Sequence, residues 1–401
     1  MSTQPATPAG NEVSRLSGAA WALALVPLIL LGLVLSYLVA TGGGLTALSG
    51  PPVEKITFQR VTLPQPGIIH VEVVNDGPQQ ITIPQVLVDD AYFMFTAEPS
   101  NTIPRLGRAV FTVNYPWVAQ ESHTVGLVTS LGTIFDHQIG VAVQSPQLSV
   151  NLFVQFGLVG LYVGIVPIFL GVLWYPFMRR LSAQAMNFIL ALTVGLLVYL
   201  ALGTWLDANE FAQELAAFWQ GVPLVIFIGL ITLGVLLVVG SVRKGVESTP
   251  LEISYRIAMG IGLHNLGEGL AIGAAFASGQ AALGTFLILG FTLHNITEGV
   301  GIAAPIVRQN PGLKHFALLV LLAGGPAILG TWLGGFAFDP VLATIFLAIG
   351  VGAILQVVWE VGKLVAKDSV RLGKPVINWV TLSGLVTGIA IMYFTAFLVK
   401  S

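Results

Sequence analysis

Two copies of one short motif, LHNLGEG at residues 263–269 and LHNITEG at residues 293–299, decide how this chain folds and where its polar chemistry lies. Each copy stands inside a long apolar run in which, after Arg256, its glutamate, Glu268 or Glu298, is the only charged side chain. A carboxylate at mid-membrane depth costs about 2.5–3.5 kcal/mol on insertion scales, so such acids usually mark an ion or substrate path. The repeat therefore predicts two consecutive membrane helices that share one polar site.

The spacing within each motif places its polar residues on one helix face. Residues three and four positions apart share a face, so each motif His and Asn lies one turn from its Glu. The predicted metal ligands are His264, Asn265, Glu268, His294, Asn295 and Glu298. The chain has no Cys, which favours Zn, Fe, Mn or Ni over Cu(I). A packing role for each His–Glu pair is the alternative, but two copies in consecutive spans favour the metal site.

The paired HNxxEG motif resembles the ZIP family of zinc and iron transporters, in the fourth and fifth helices of an eight-helix core, over residues 151–401. The resemblance implies that the six motif residues are transport-site ligands, that metal is imported and that the helix bundle slides. Family members often carry Pro before the motif Glu, where this chain has Gly267 and Thr297. Gly325 stands where the family often has a glutamate that completes a second metal site, which leaves the number of bound ions open.

Composition sets the class of protein. The 401 residues are 55% hydrophobic and only 9% charged, which indicates a polytopic membrane protein. No basic patch suited to nucleic acid and no GxxxxGK[ST] loop for ATP occurs in the sequence. The expected partners are divalent metal ions and the lipid bilayer, and a homodimer is compatible with the sequence. No cofactor is expected beyond the transported metal, most simply Zn²⁺.

The chain divides into five predicted parts. Short segments with alternating apolar residues, such as 69–73, 110–113 and 139–143, indicate β-strands between the membrane segments. The parts are a disordered cytoplasmic tail (1–16), a transmembrane anchor (17–41), a linker (42–52), an extracytoplasmic β-sandwich (53–148) and an eight-helix metal transport domain (149–401). Three histidines of the β-sandwich, His70, His123 and His137, could deliver metal to the pore or, as is more common, lie at its surface.

Charge distribution predicts the orientation. The predicted spans of the transport domain lie near 153–177, 187–206, 221–241, 255–277, 281–305, 316–337, 341–362 and 377–398. With the anchor they make nine helices, each long enough to cross a membrane. Lys and Arg cluster in alternate loops, which predicts a multi-pass cell-membrane protein with a cytoplasmic N-terminus, while the β-domain and the C-terminus face outward.

Three further polar residues are candidates along the path. Asp207, at the predicted outer end of the span 187–206, is a candidate entrance residue, although a solvated loop carboxylate is the simpler interpretation. Glu360, with Gln356 one turn earlier, could be an exit-path ligand. Alternatively, Glu360 could snorkel to the cytoplasmic surface beside Lys363.

The pattern supports one main function and two rivals. Divalent metal transport, most simply zinc import, accounts for the paired motif, and no enzymatic activity is expected. An intramembrane zinc-dependent hydrolase would use the same ligands to activate water. A metal sensor would bind its ion through the β-domain.

Overall fold

A computed structural model describes residues 18–41, 53–145, 147, 149–241, 249–277 and 280–400. The chain forms two compact units, Met1–Val53 and Glu54–Ser401.

The first unit contains one described helix, α1 (Gly18–Ala40). Its apolar stretch Leu25–Leu38 exposes its side chains. This helix lies where the sequence predicts the anchor. The predicted tail 1–16 and linker 42–52 lie outside the described residues.

The second unit begins with ten antiparallel strands. They are β1 (Ile56–Gln65), β2 (Ile68–Asn75), β3 (Ile81–Thr82), β4 (Gln85–Val88), β5 (Ala91–Phe93), β6 (Phe95–Glu98), β7 (Thr102–Ile103), β8 (Arg108–Asn114), β9 (His123–Val128) and β10 (Ile134–Ile139). One sheet has the order β1-β2-β8-β6, a second has the order β10-β9-β4-β5, and β3 pairs with β7.

The two larger sheets bury a common apolar core. Alternate residues of β2 and β8, such as Val71 and Phe111, face this core together with Val86 and Leu127 of the second sheet. Two packed antiparallel sheets are the arrangement of a β-sandwich. The predicted strand 139–143 is wrong, since β10 ends at Ile139. The alternation of apolar residues continues beyond Ile139, whereas the hydrogen-bonded pairing of β10 with β9 ends at that residue.

The rest of the unit is helical. Its helices are α2 (Val150–Gly160), α3 (Val166–Val172), α4 (Tyr175–Met178), α5 (Ala183–Gln213), α6 (Gly221–Ser241), α7 (Pro250–Ala277), α8 (Ala281–Ala303), α9 (Leu313–Gly324), α10 (Pro326–Phe336), α11 (Pro340–Arg371) and α12 (Trp379–Lys400). Short 3₁₀ turns occupy Ala217–Trp219 and Ala304–Ile306. Helices thus occur in every predicted span, although several run beyond the predicted limits.

Among the described residues, six helical segments are long and apolar enough to cross a membrane, as a multi-pass membrane protein requires. They are Val150–Met178, Ala183–Gln213, Ala217–Gly240, Leu283–Ile306, Leu313–Phe336 and Pro340–Arg371. Helix α7 is not among them, because its polar motif residues and glycines lower its mean hydropathy. Most of α7 is instead buried against α8, α9, α10 and α11.

Two of the apolar segments are broken helices. A π-helical turn, Leu161–Ile165, separates α2 from α3, just before Pro167. The predicted single span 316–337 is likewise two helices, α9 and α10, which meet at Gly325 and Pro326. Proline has no N–H and its ring crowds the carbonyl four residues earlier, so both breaks have a local cause.

The β-domain contacts the helices at the connection between α5 and α6. Asp76, in the turn after β2, accepts a hydrogen bond from the Ala217 N–H at 2.6 Å. Its carboxylate also forms an ion pair with Lys55 at 2.7 Å. The Asp76 side chain is buried by this contact. The strands therefore lie at the end of the bundle that carries the connection between α5 and α6.

Candidate metal centre

The two motifs lie on neighbouring helices. Helix α7 carries the first copy and α8 the second, and these two helices pack against each other. All six motif ligands predicted from the sequence are buried. The helical spacing works as expected in both copies, because each His lies one turn before its Glu.

Three side chains form a compact cluster around one carboxylate oxygen. Glu268 Oε1 lies 3.0 Å from His264 Nε2 and 2.7 Å from His294 Nε2. One ligand atom from each of these residues lies within 4.8 Å of the others. Among the described residues this is the group of three His, Cys, Asp or Glu side chains that could hold a metal ion.

The cluster has the chemistry of an open metal site. Two imidazole nitrogens and one carboxylate oxygen are ligands that Zn²⁺ accepts, and three protein ligands leave a fourth position for water or another group. The three residues are at most 7% exposed. A small adjustment of the side chains would bring each atom to the 2.0–2.2 Å distances that zinc requires.

Both asparagine side chains donate hydrogen bonds to backbone carbonyls of the broken helices. Asn265 Nδ2 donates to the Ala323 carbonyl at 3.0 Å, and Asn295 Nδ2 donates to the Val163 carbonyl at 3.1 Å. Neither Oδ1 atom has a hydrogen-bond partner within the described part of the chain. Both asparagines lie one turn from a motif glutamate, as the helical spacing predicts, but nothing in the sequence indicates that their amide groups bind carbonyls of other helices.

Glu298 lies one turn beyond His294 and is outside the three-residue cluster. Neither of its carboxylate oxygens accepts a hydrogen bond from the residues that the structure describes. A cavity of about 10 Å³, which has room for about one water molecule, lies beside it and is lined by Thr193, Leu196, Leu197, Leu200, His294, Thr297, Glu298 and Met392. An unpartnered buried carboxylate is costly, so Glu298 is suited to receive a cation.

The additional residues of this neighbourhood come from elements that the sequence did not connect to the motif. Val163 belongs to the π-helical turn, and Ala323 belongs to the last turn of α9. Pro167 is the available signal for Val163, because it cannot donate to the carbonyl four residues earlier. The corresponding carbonyl for Pro326 is that of Leu322, so the sequence offers no such signal for Ala323. The family that the motif resembles often has a metal-binding glutamate at the position of Gly325. Gly325 has no side chain that could bind a metal ion.

Glu360 and Gln356 lie on α11, farther toward the amino end of α7. Glu360 Oε1 lies 3.5 Å from Arg256 Nη1, and its Oε2 lies 2.9 Å from Lys363 Nζ. Glu360 is buried between these two cations. Gln356 is also buried, and its amide atoms have no hydrogen-bond partner among the described residues. Neither residue belongs to the three-residue cluster.

The predicted position of Asp207 is wrong. Helix α5 continues to Gln213, so Asp207 lies within the helix rather than at its end. Polar residues mark the end of the apolar run, but a helix continues beyond it as long as its backbone remains hydrogen-bonded. The Asp207 side chain is exposed.

The β-domain histidines do not converge. His123 is buried, with Nδ1 2.7 Å from Asp89 Oδ2 and Nε2 3.2 Å from the Val118 N–H, so both ring nitrogens are engaged. His137 stacks on Phe58, and burial lowers its pKa. His70 pairs across the sheet with Thr62. Within the described strands, nothing brings three metal-ligating side chains together.

Asp89 organises a small polar cluster in the β-domain. Burial opposes its ionisation, but hydrogen bonds from Tyr115, the Thr124 N–H and His123 outweigh this effect and lower the pKa of Asp89. The same hydrogen bond, with partial burial, raises the pKa of Tyr115 to about 12. The cluster fixes strand β9 to the turn after β4 and is structural.

Comparison with known proteins adds no family assignment. The sequence matches no protein-family model, and it has no significant match among curated proteins.

Proposed function

We propose that this protein is a divalent metal transporter of the ZIP type, most simply one that imports zinc into the cytoplasm. The observation that carries the proposal is the buried cluster of His264, Glu268 and His294 inside a bundle of long apolar helices. Nitrogen and oxygen ligands in a chain without Cys favour zinc or a similar divalent ion. The resemblance of the two HNxxEG motifs supports the same assignment.

Transport fits the surroundings of the cluster better than catalysis. Glu298 and Asn265 add buried oxygen atoms without partners beside the three ligands. A cation that moves between ligands needs such a choice of oxygens, whereas a hydrolase needs room for a substrate. The cavity beside Glu298 has room for about one water molecule.

The proposed cycle uses the residues of this chain as follows. A cation that has shed its water meets Glu268 Oε1, which already faces both imidazole Nε2 atoms. The two hydrogen bonds there give way to metal–ligand contacts. Glu298 supplies a second carboxyl group close to His294. Release requires a change in the packing of the helices, because the cluster is buried on all sides.

Import as the direction of transport rests on the resemblance to the ZIP family, and the orientation of the protein rests on the distribution of Lys and Arg. Alternate loops carry the positive charge, which places the N-terminus in the cytoplasm and the β-domain outside. The α5–α6 connection, which contacts the β-domain, then lies at the outer face. The protein would thus reside in the cell membrane, with metal entering from the side of the β-domain.

The test is zinc flux into proteoliposomes that contain a zinc-sensitive dye. Glu268→Gln keeps the side-chain volume and removes the charge, so we expect flux to fall to the level of empty vesicles. Glu252→Gln is the matched control, since Glu252 belongs to the first turn of the same helix and forms a capping pair with Thr249. Flux in this control should equal that of the wild type.

The contrary outcomes are distinct. Zinc binding without flux in the wild type would reject transport and direct attention to hydrolysis of peptide or ester substrates. Equal flux in wild type and Glu268→Gln would reject the site while leaving transport possible through another path. Parallel assays with Fe²⁺ and Mn²⁺ would establish the metal preference.

A further inference from the structure

A chain of contacts connects the helix break at Pro167 to the metal cluster. We propose that Pro167 and Asn295 are positioning residues that orient the Glu268 carboxylate toward the two histidines. The inference rests on the proposed function, because it concerns the same metal site. It assigns Asn295 a role different from that of a direct ligand, which the sequence motif suggested.

This series of contacts begins at the Val163 carbonyl, which has lost its α-helical donor. In an α-helix the Val163 carbonyl would accept from the N–H of residue 167, and proline has none. The preceding turn is π-helical, with the Val166 N–H directed to the Leu161 carbonyl. Val163 is completely buried, so a donor that replaces the missing N–H of residue 167 stabilises its carbonyl.

Asn295 supplies that donor. Its Nδ2 lies 3.1 Å from the Val163 carbonyl and 3.4 Å from Glu268 Oε2. A carbonyl and a carboxylate both only accept hydrogen bonds, so the atom between them must be the NH₂ group. This nitrogen has no lone pair to offer a metal, and its position is therefore that of a hydrogen-bond donor.

Because of the second contact of Asn295, the two oxygens of the Glu268 carboxylate have different partners. Oε2 faces the Asn295 amide, and Oε1 faces His264 and His294. With one oxygen held, the other points to the place where the three ligand atoms converge. Partners of this kind fix the orientation of metal-binding carboxylates in many sites.

The decisive variant is Asn295→Asp, because the two roles predict opposite results. A direct oxygen ligand would bind zinc as well or better with the added charge. A positioning donor would fail, since a carboxylate cannot donate to Val163 or Glu268 and repels the latter. We expect the affinity for Zn²⁺, measured by competition with a zinc dye in detergent, to fall about 10-fold to 100-fold.

A matched control separates this effect from general damage. Asn187 is an equally buried amide outside the site, where its Nδ2 donates to Ser369 Oγ. Asn187→Asp should leave zinc affinity unchanged even if it lowers the melting temperature. The visible spectrum of bound Co²⁺ gives a second measurement, and its band positions should be the same in Asn295→Asp and wild type because the ligands do not change.

Pro167→Ala tests the first step in this series of contacts, the loss of a backbone donor for the Val163 carbonyl. Alanine supplies the missing N–H, which competes with Asn295 for the Val163 carbonyl, so zinc affinity should fall in the same direction. Pro340→Ala is the matched control, because Pro340 begins α11 and deprives no helical carbonyl of a donor. Its affinity should equal that of the wild type.

Each outcome decides a part of the proposal. Zinc binding by Asn295→Asp at wild-type strength, or a changed Co²⁺ spectrum, would overturn the positioning role. Unchanged affinity in Pro167→Ala would overturn the assignment of Pro167. A wild-type protein that binds no Zn²⁺ would overturn the proposed function together with this inference.

Discussion

The close contact between α7 and α10 gives the sharpest quantitative prediction. A Cβ atom on Gly330 would lie 2.2 Å from the Leu266 carbonyl oxygen and 2.8 Å from the Leu270 N. Ordinary contact begins at 3.4 Å, so Gly330→Ala forces the two backbones about 1.2 Å farther apart. Because both obstacles are backbone atoms, no side-chain rotation relieves the clash.

The magnitude follows from two opposing effects. Overpacking of a well-packed interior typically costs about 1–3 kcal/mol. Replacing a helical Gly by Ala returns about 1 kcal/mol through helix propensity. With backbone obstacles the upper part of the overpacking range applies, so we expect Gly330→Ala to lower the free energy of unfolding by about 2 kcal/mol.

The control is another helical glycine with open space around it. Nothing lies within 4 Å of a Cβ atom built on Gly362 in α11. Gly362→Ala should therefore stabilise the protein by about 0.5–1 kcal/mol. The assay is unfolding in mixed detergent micelles followed by circular dichroism, with both variants measured alongside the wild type.

The same variant should affect the metal site. The turn from Leu266 to Leu270 contains Glu268, so displacement of this turn moves the carboxylate away from His294. Zinc affinity should fall in Gly330→Ala and remain unchanged in Gly362→Ala. Equal stability in the two variants would refute the close packing of α7 and α10 as described.

Two other predictions concern charged groups outside the cluster. The pKa of Asp89 is lowered in the folded protein, so its stabilising contribution is present above its ordinary pKa and is lost as pH falls through the lowered value. Hydrogen exchange of strand β9 should thus differ between wild type and Asp89→Asn at neutral pH and converge in acid, and a constant difference at all pH values would contradict this. On α11, Arg256→Met should destabilise the protein more than Lys363→Met, because Arg256 joins α7 to the buried Glu360 whereas Lys363 is half exposed and lies on the same helix as its partner. Equal melting temperatures for these two variants would count against the interhelical ion pair.

Local patterns in the sequence account for much of the architecture. The alternation in β2 and β8 follows from the two-residue repeat of a strand, and these residues do fill the core of the sheets. The long apolar runs predict helices because only a helix satisfies its own backbone in lipid. The spacing from His264 to Glu268 placed both on one face, since this depends on helical geometry alone.

Some details of the predicted spans differ from the structure. The predicted span 316–337 coincides with the apolar segment Leu313–Phe336, although Pro326 divides this segment into two helices. The helix that contains Asp207 extends farther than its apolar residues indicate. Hydropathy measures affinity for the membrane and not the extent of the helix.

What the sequence by itself determined is the set of chemical groups and the face of each helix that carries them. Only the tertiary structure decided which groups meet: Glu268 binds both histidines, Asn295 reaches Val163, and Glu360 lies between Arg256 and Lys363. Helical periodicity acts over a few residues, and it specifies a face without specifying its neighbour. The contact between Asn295 and Val163 joins residues 132 positions apart, so it exists only because the packing of α8 places an amide beside the carbonyl that Pro167 leaves without a donor.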